Sequence, residues 1–347
     1  MSNFIWTENN DGFWDLASNW QDNLKPGATS SQDDVLIDIA ESEIIATHRS
    51  GTTEINNLIA TDKVVLSGGN LVLNGSNSSL LLFDLTAGTL TQRSNLIVTD
   101  FNWNGGILTG GGTTTIQGDF NLSNTTKDIT GQTIITQGET NWDSSTIRIY
   151  GSQSQWTNTG TFNIIGARFI DNFNPVLIFD NQGTINKTDT GTATLEATVN
   201  NNGLINVESG ILYITGNSNH TGDFTIAENA RLQVTGNHNF DATSNIMGVG
   251  DFRVVGNTTN LDGNLDIGGD ITVSGGTLNV NQSITSNQLI TSGGTLNINA
   301  EVNSDILTQT SGTTNINVIE DFTDVAISGG TFNSKEETTI TDLDWTG

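Results

Sequence analysis

The sequence predicts an all-β chain wound as a single-stranded parallel β-helix, a β-solenoid with coils of about 18–23 residues. Three observations carry that expectation. Glycine, threonine and asparagine return in a fixed order every 18 residues near the C-terminus. Apolar and polar residues alternate with period two inside each unit, which is the signature of a strand. Only two prolines, Pro26 and Pro175, occur in 347 residues, as suits strands that need their N–H groups for pairing.

The repeat is clearest over residues 274–317, SGGTLNVNQSITSNQLITSGGTLNINAEVNSDILTQTSGTTNIN. Gly276, Gly294, Gly312 and Gly330 share one column, followed by Thr277, Thr295, Thr313 and Thr331 and then by Asn279, Asn297, Asn315 and Asn333. Leu278 and Leu296 stand between the last two columns, with Thr314 and Phe332 continuing their line. A second apolar column holds Ile271, Leu289, Leu307, Val325 and Leu343. Stacked coils place these apolar residues in a narrow core and the asparagines outside, where their amides can form ladders. A glycine at the same place in every coil implies a bend with positive φ or no room for Cβ.

Upstream the period loosens without vanishing. ITGN, VTGN and VVGN recur every 20 residues from Ile214, and Asn-x-Gly turns fall at Gly160, Gly183 and Gly203. Nearer the front, SGGNLVL, TAGTLTQ and NGGILTG place glycines at positions 69, 88 and 106. Residues 51–347 therefore read as solenoid, with about 15 coils spanning on the order of 70 Å at roughly 4.8 Å per coil.

Residues 1–50 differ and read as a tryptophan-rich cap module. Trp6, Trp14 and Trp20 would cover the apolar end of the first coil. Their indole faces would also suit stacking on sugar rings. At the other end, LDWTG repeats the phrase Phe101-x-Trp103-x-Gly105 as Leu343-x-Trp345-x-Gly347. The chain stops as that phrase begins again, so we expect an excerpt of a longer repetitive protein.

Composition narrows the function. Hydrophobic residues are 34%, charged residues 14%, and the net charge is −27. A surface with so few cations assembles no basic face for nucleic acid or an anionic membrane. Such a charge favours solubility and attracts cations. With no cysteine, disulfides and thiolate metal sites are excluded. No apolar run is long enough to span a bilayer, and MSNFIWTENN has neither the basic nor the apolar region of a secretory signal.

Taken together, GFW…SNW, DDV, LSGGNLVL, WNGGILTGGGTTTI, NQGTI, NNGLINVESG and GDFTIAENARL resemble the repetitive bacterial proteins described as filamentous-haemagglutinin-like or autotransporter-like. The resemblance covers nearly the whole chain. It implies a right-handed parallel β-helix, a cell-surface or extracellular location, and an adhesive or scaffolding role. It supplies no catalytic residues.

Parallel β-helices also carry polysaccharide lyases and glycosidases, whose sites need clustered carboxylates or a cation with a basic residue. The candidates are thin. Asp262, Asp266 and Asp270 straddle a glycine-rich turn. Arg231 and Arg253 are 22 apart against a local period of 20 and should not stack. His220 and His238 are 18 apart, which sets one ring two positions off the other and disfavours a metal or catalytic pair. No nucleophile elbow, P-loop or zinc-protease motif is present. If a cation binds at all, the ion is Ca²⁺ and the candidate ligands are Asp33, Asp34 and Asp38, although their spacing matches no EF-hand loop.

The expected function is therefore non-catalytic: a structural or adhesive β-helical segment of a large surface or secreted protein, with glycans or neighbouring surface proteins as partners. A polysaccharide-active enzyme is the alternative. Ice binding through the ranked threonines is a lesser one, which thermal hysteresis would reveal.

Overall fold

Period-two alternation sends every second side chain inward, and the chain keeps to it coil after coil. In the computed structural model, residues 3–27, 30–40, 43–143, 146–166, 168–172 and 177–346 are described. Pro175 and Gly347 lie outside them. The architecture is a parallel β-solenoid of about 16 coils with almost no helix. A typical coil has three short strands on three faces. Thr113–Ile116, Phe120–Leu122 and Lys127–Thr130 make one coil, and Thr133–Thr136, Glu139–Trp142 and Thr146–Ile149 pair with them in parallel as the next.

Two compact units divide the chain, Met1–Asn163 with Phe169–Phe179 and Ile164–Arg168 with Asp180–Gly347. In the first, Asn3–Ile5 pairs with Asp34–Ile37, which pairs with Leu58–Leu66. Ile45–His48 pairs with the second half of that same long strand. Strands of the tryptophan-rich stretch thus pair within the same sheet as Leu58–Leu66. Trp6, Trp14 and Trp20 are 1–2% exposed and pack edge-on, with Trp20 centred 5.0 Å from Trp6 and 4.9 Å from Trp14. The Trp20 indole N–H donates to the Trp14 carbonyl at 2.9 Å. Because all three rings are covered, none offers a face to a sugar. Deeper in this unit, Phe83, Phe101 and Phe120 stack in register, 5.1 and 4.9 Å apart.

The second unit contains the 18-residue repeat of residues 274–317. Leu278, Leu296 and Thr314 pair in register, as do Ile271, Leu289, Leu307, Val325 and Leu343. Ile271, Leu278, Leu289, Leu296, Leu307 and Val325 are all buried, at 0–1% exposure. Leu343 departs from that expectation. It keeps its place over Val325 but is 48% exposed, because among the described residues no strand lies over Thr338–Trp345. Thr314 is also buried in an aliphatic column, and its hydroxyl is satisfied by the Thr291 hydroxyl at 3.0 Å.

The glycine column has two physical causes acting together. Gly276, Gly294, Gly312 and Gly330 sit at φ between +68° and +89°, where a side chain is strained. A Cβ on Gly294 would also run into the carbonyl oxygen of Gly276 in the preceding coil.

Candidate functional site

Outward columns are where this fold can meet a partner, and many of their asparagines already bond along the stack. In the first unit the Asp84 carboxylate accepts from Asn102 at 2.8 Å. Asn102 accepts from Asn121 at 3.0 Å, Asn121 from Asn141 at 3.4 Å, and Asn141 from Asn163 at 2.9 Å. The second unit repeats the device with Asp262, Asn281, Asn299 and Asn317. A carboxylate only accepts. An aspartate at the head of a column therefore turns every following amide N–H₂ toward the preceding coil. The sequence shows the asparagines; the heading aspartates were the overlooked signal.

The sequence-derived candidates disperse. Asp34 accepts from the Asn56 and Asn57 side chains at 2.8 Å each, and Asp38 from the Thr61 hydroxyl at 2.7 Å. Asp33 is buried while Asp38 is exposed. Among the described residues no three His, Asp or Glu side chains gather as they would around a metal ion. Asp262 heads its ladder, whereas Asp270 accepts from Asn287 on another face. Arg231 pairs with Asp251 at 3.5 Å and Arg253 donates to the Ser274 hydroxyl at 3.0 Å, so the arginines stay apart as read. Two lysines in inward positions bond to turns. Lys127 donates to the Thr125 carbonyl at 2.6 Å, and Lys187 to both oxygen types of Asp189. Burial brings the Lys127 amine down to about 8.

The histidines meet after all. Ser218 pairs with His238 and His220 with Phe240, which is the two-position offset expected. Yet an offset of two keeps both rings on the inward face, and diagonal neighbours lie within reach of large side chains. His220 Nε2 lies 3.2 Å from His238 Nδ1, and His238 Nε2 lies 2.9 Å from the Thr235 carbonyl. His238 therefore carries its proton on Nε2 for that carbonyl and accepts from His220. The Phe240 ring packs 4.5 Å from His220. Burial lowers both imidazoles, His238 to about 4, and the neighbouring His238 charge adds to the effect on His220.

Beside this pair the surface opens into a cavity of about 340 Å³, lined by Asn217, Asn219, Asn237, Asn239, Asn260 and His238 among others. Asn219, Asn239, Asn260, Asn279, Asn297, Asn315 and Asn333 form one outward column in register. From Asn260 onward its amides are linked at 2.7–2.8 Å. Upstream, Asn200 donates to Asp180 at 2.8 Å. Between these stretches the ladder stops. Neither the Asn219 nor the Asn239 carboxamide has a hydrogen-bond partner among the described residues, and this gap coincides with the cavity.

Against known proteins, the chain matches no family model, no curated protein and no solved structure. What stands is the solenoid itself; the likeness to haemagglutinin-like proteins rests on sequence phrases. Among the described residues no helix is long and apolar enough to cross a membrane.

Proposed function

We propose that this chain is a structural and adhesive segment of a large bacterial cell-surface or secreted protein, acting outside the cell. The observation that supports this reading most is the division of labour within each coil. Inward positions fill a continuous core, and outward Asp and Asn side chains tie one coil to the next, as in Asp84 to Asn163. Such a surface is regular and stiff, suited to presenting other modules and to contacting glycans or neighbouring surface proteins. Among the described residues, six cations pair with the chain's own carboxylates, leaving an acidic exterior that disfavours nucleic acid.

The reading is tested with beads carrying the folded chain, applied to bacterial and host-cell layers beside beads carrying the urea-unfolded chain. Retention of the folded form alone is expected. In parallel, acidic polysaccharides are incubated with the protein and followed for unsaturated products and reducing ends. Catalytic turnover there would replace the adhesive reading with a polysaccharide-active enzyme.

A further inference from the structure

At the break in the asparagine ladder of the second unit, a row of carboxamides faces an open cavity with hydrogen-bonding capacity to spare. Asn217 and Asn237 use only their oxygens, on the backbone N–H groups of Asn237 at 2.8 Å and Thr258 at 3.3 Å. Their N–H₂ groups are left to donate. Asn219 and Asn239 each offer both a donor and an acceptor. Asn260 gives its oxygen to Asn279 at 2.8 Å and keeps its donors. These groups repeat at the coil spacing of roughly 4.8 Å, a distance comparable to the rise of one sugar unit in an extended glycan.

We infer that this cavity is a binding site for a neutral polyhydroxylated chain, a glycan lying across the coils at Asn219, Asn239 and Asn260. The inference deepens the adhesive reading above and rests on it. Hydroxyl groups donate and accept, so they match carboxamides that do both, whereas a purely cationic or anionic ligand does not. No carboxylate, lysine or arginine lines the cavity. The inward His238 at its floor is neutral at pH 7, since burial holds it near 4. The acidic chain as a whole repels anionic polysaccharides. Elsewhere in the column, from Asn279 to Asn333, the amides are occupied by their neighbours in the ladder and have less to offer a ligand. No Phe, Tyr or Trp ring lines the cavity, so a single site binds weakly.

The test titrates the ¹⁵N-labelled full chain with cellohexaose, maltohexaose, laminarihexaose and mannohexaose, and with an oligogalacturonate as the anionic arm. At least one neutral hexasaccharide is expected to shift the side-chain amide resonances of Asn219 and Asn239 at millimolar concentration. The exposed-face double variant Asn219→Thr/Asn239→Thr should bind about tenfold more weakly, while Asn297→Thr, within the closed ladder, should bind as the parent does. Unchanged circular dichroism of the double variant keeps the comparison one of binding. Should no neutral hexasaccharide move those resonances, or should the double variant bind like the parent, the site is refuted. Beads that still adhere in that case would show that the adhesive reading stands and only this site fails. Hexasaccharide binding by a chain whose beads do not adhere would instead show the site to be real and the adhesive reading wrong.

Discussion

Replacing Leu289 with Asp is expected to lower the stability of the second unit by at least about 4 kcal/mol, measured by urea unfolding followed by circular dichroism. Leu289 is fully buried between Ile271 and Leu307 in register. The substitution removes an aliphatic side chain from a narrow core and puts a carboxyl group where no partner can reach it. Because each coil contacts mainly its neighbours, the loss is not shared out over a large globular core. Leu307→Asp should behave alike. Outward positions give the contrast. Thr295→Ser should change stability by less than about 0.5 kcal/mol. Asn297→Ser should cost about 1 kcal/mol, because the Asn297 amide bonds both Asn279 and Asn315 at 2.7 Å. Equal effects of Leu289→Asp and Thr295→Ser would contradict the assignment of inward and outward columns.

Acid should destabilise the same unit through its buried histidines. His238 is held near 4 against an ordinary value of 6.5, and His220 is lowered well below that ordinary value, both mainly through burial. A histidine depressed in the fold binds its proton more readily when unfolded. Stability is therefore complete above pH 6.5 and falls as pH drops from 6.5 toward 4. His238 alone accounts for a loss of about 3 kcal/mol across that window, and His220 adds to it. His48, lowered by burial in the first unit, acts in the same sense there. Urea unfolding at pH 7 and pH 4.5 should show the parent losing stability that the variant His220→Leu/His238→Leu largely keeps. The same loss in both proteins would mean that these imidazoles do not titrate from a buried, neutral state.

The fold was legible because a solenoid writes its geometry into the period of the sequence. Gly276, Gly294 and Gly312 mark the bends, and Leu278 with Leu296 marks the core, since like residues lie over like. What escaped were features that depend on reach beyond the column. The His220–His238 contact is diagonal, so interval arithmetic put the rings apart although both point inward. Leu343 carries the right residue type for the core, but burial requires a covering strand as well as an inward direction. The interrupted ladder at Asn219 and Asn239 was invisible for a related reason. Those asparagines fit the repeat as well as Asn297 does, and only side-chain geometry distinguishes a linked amide from an available one. The tryptophans of the first fifty residues were recognisable as a cluster, yet their strands proved to be part of the solenoid sheets.

The most direct test of coil-on-coil stacking measures distances along one outward column. The chain has no cysteine of its own, so cysteine pairs can be introduced at Thr277 with Thr331 and at Thr258 with Thr331, spin-labelled, and read by pulsed electron resonance. Register places these sites three and four coils apart. The separations should be about 14 Å and about 19 Å, growing by roughly 4.8 Å for each coil. Distances that do not increase by one strand spacing per 18–19 residues would contradict the stacked solenoid.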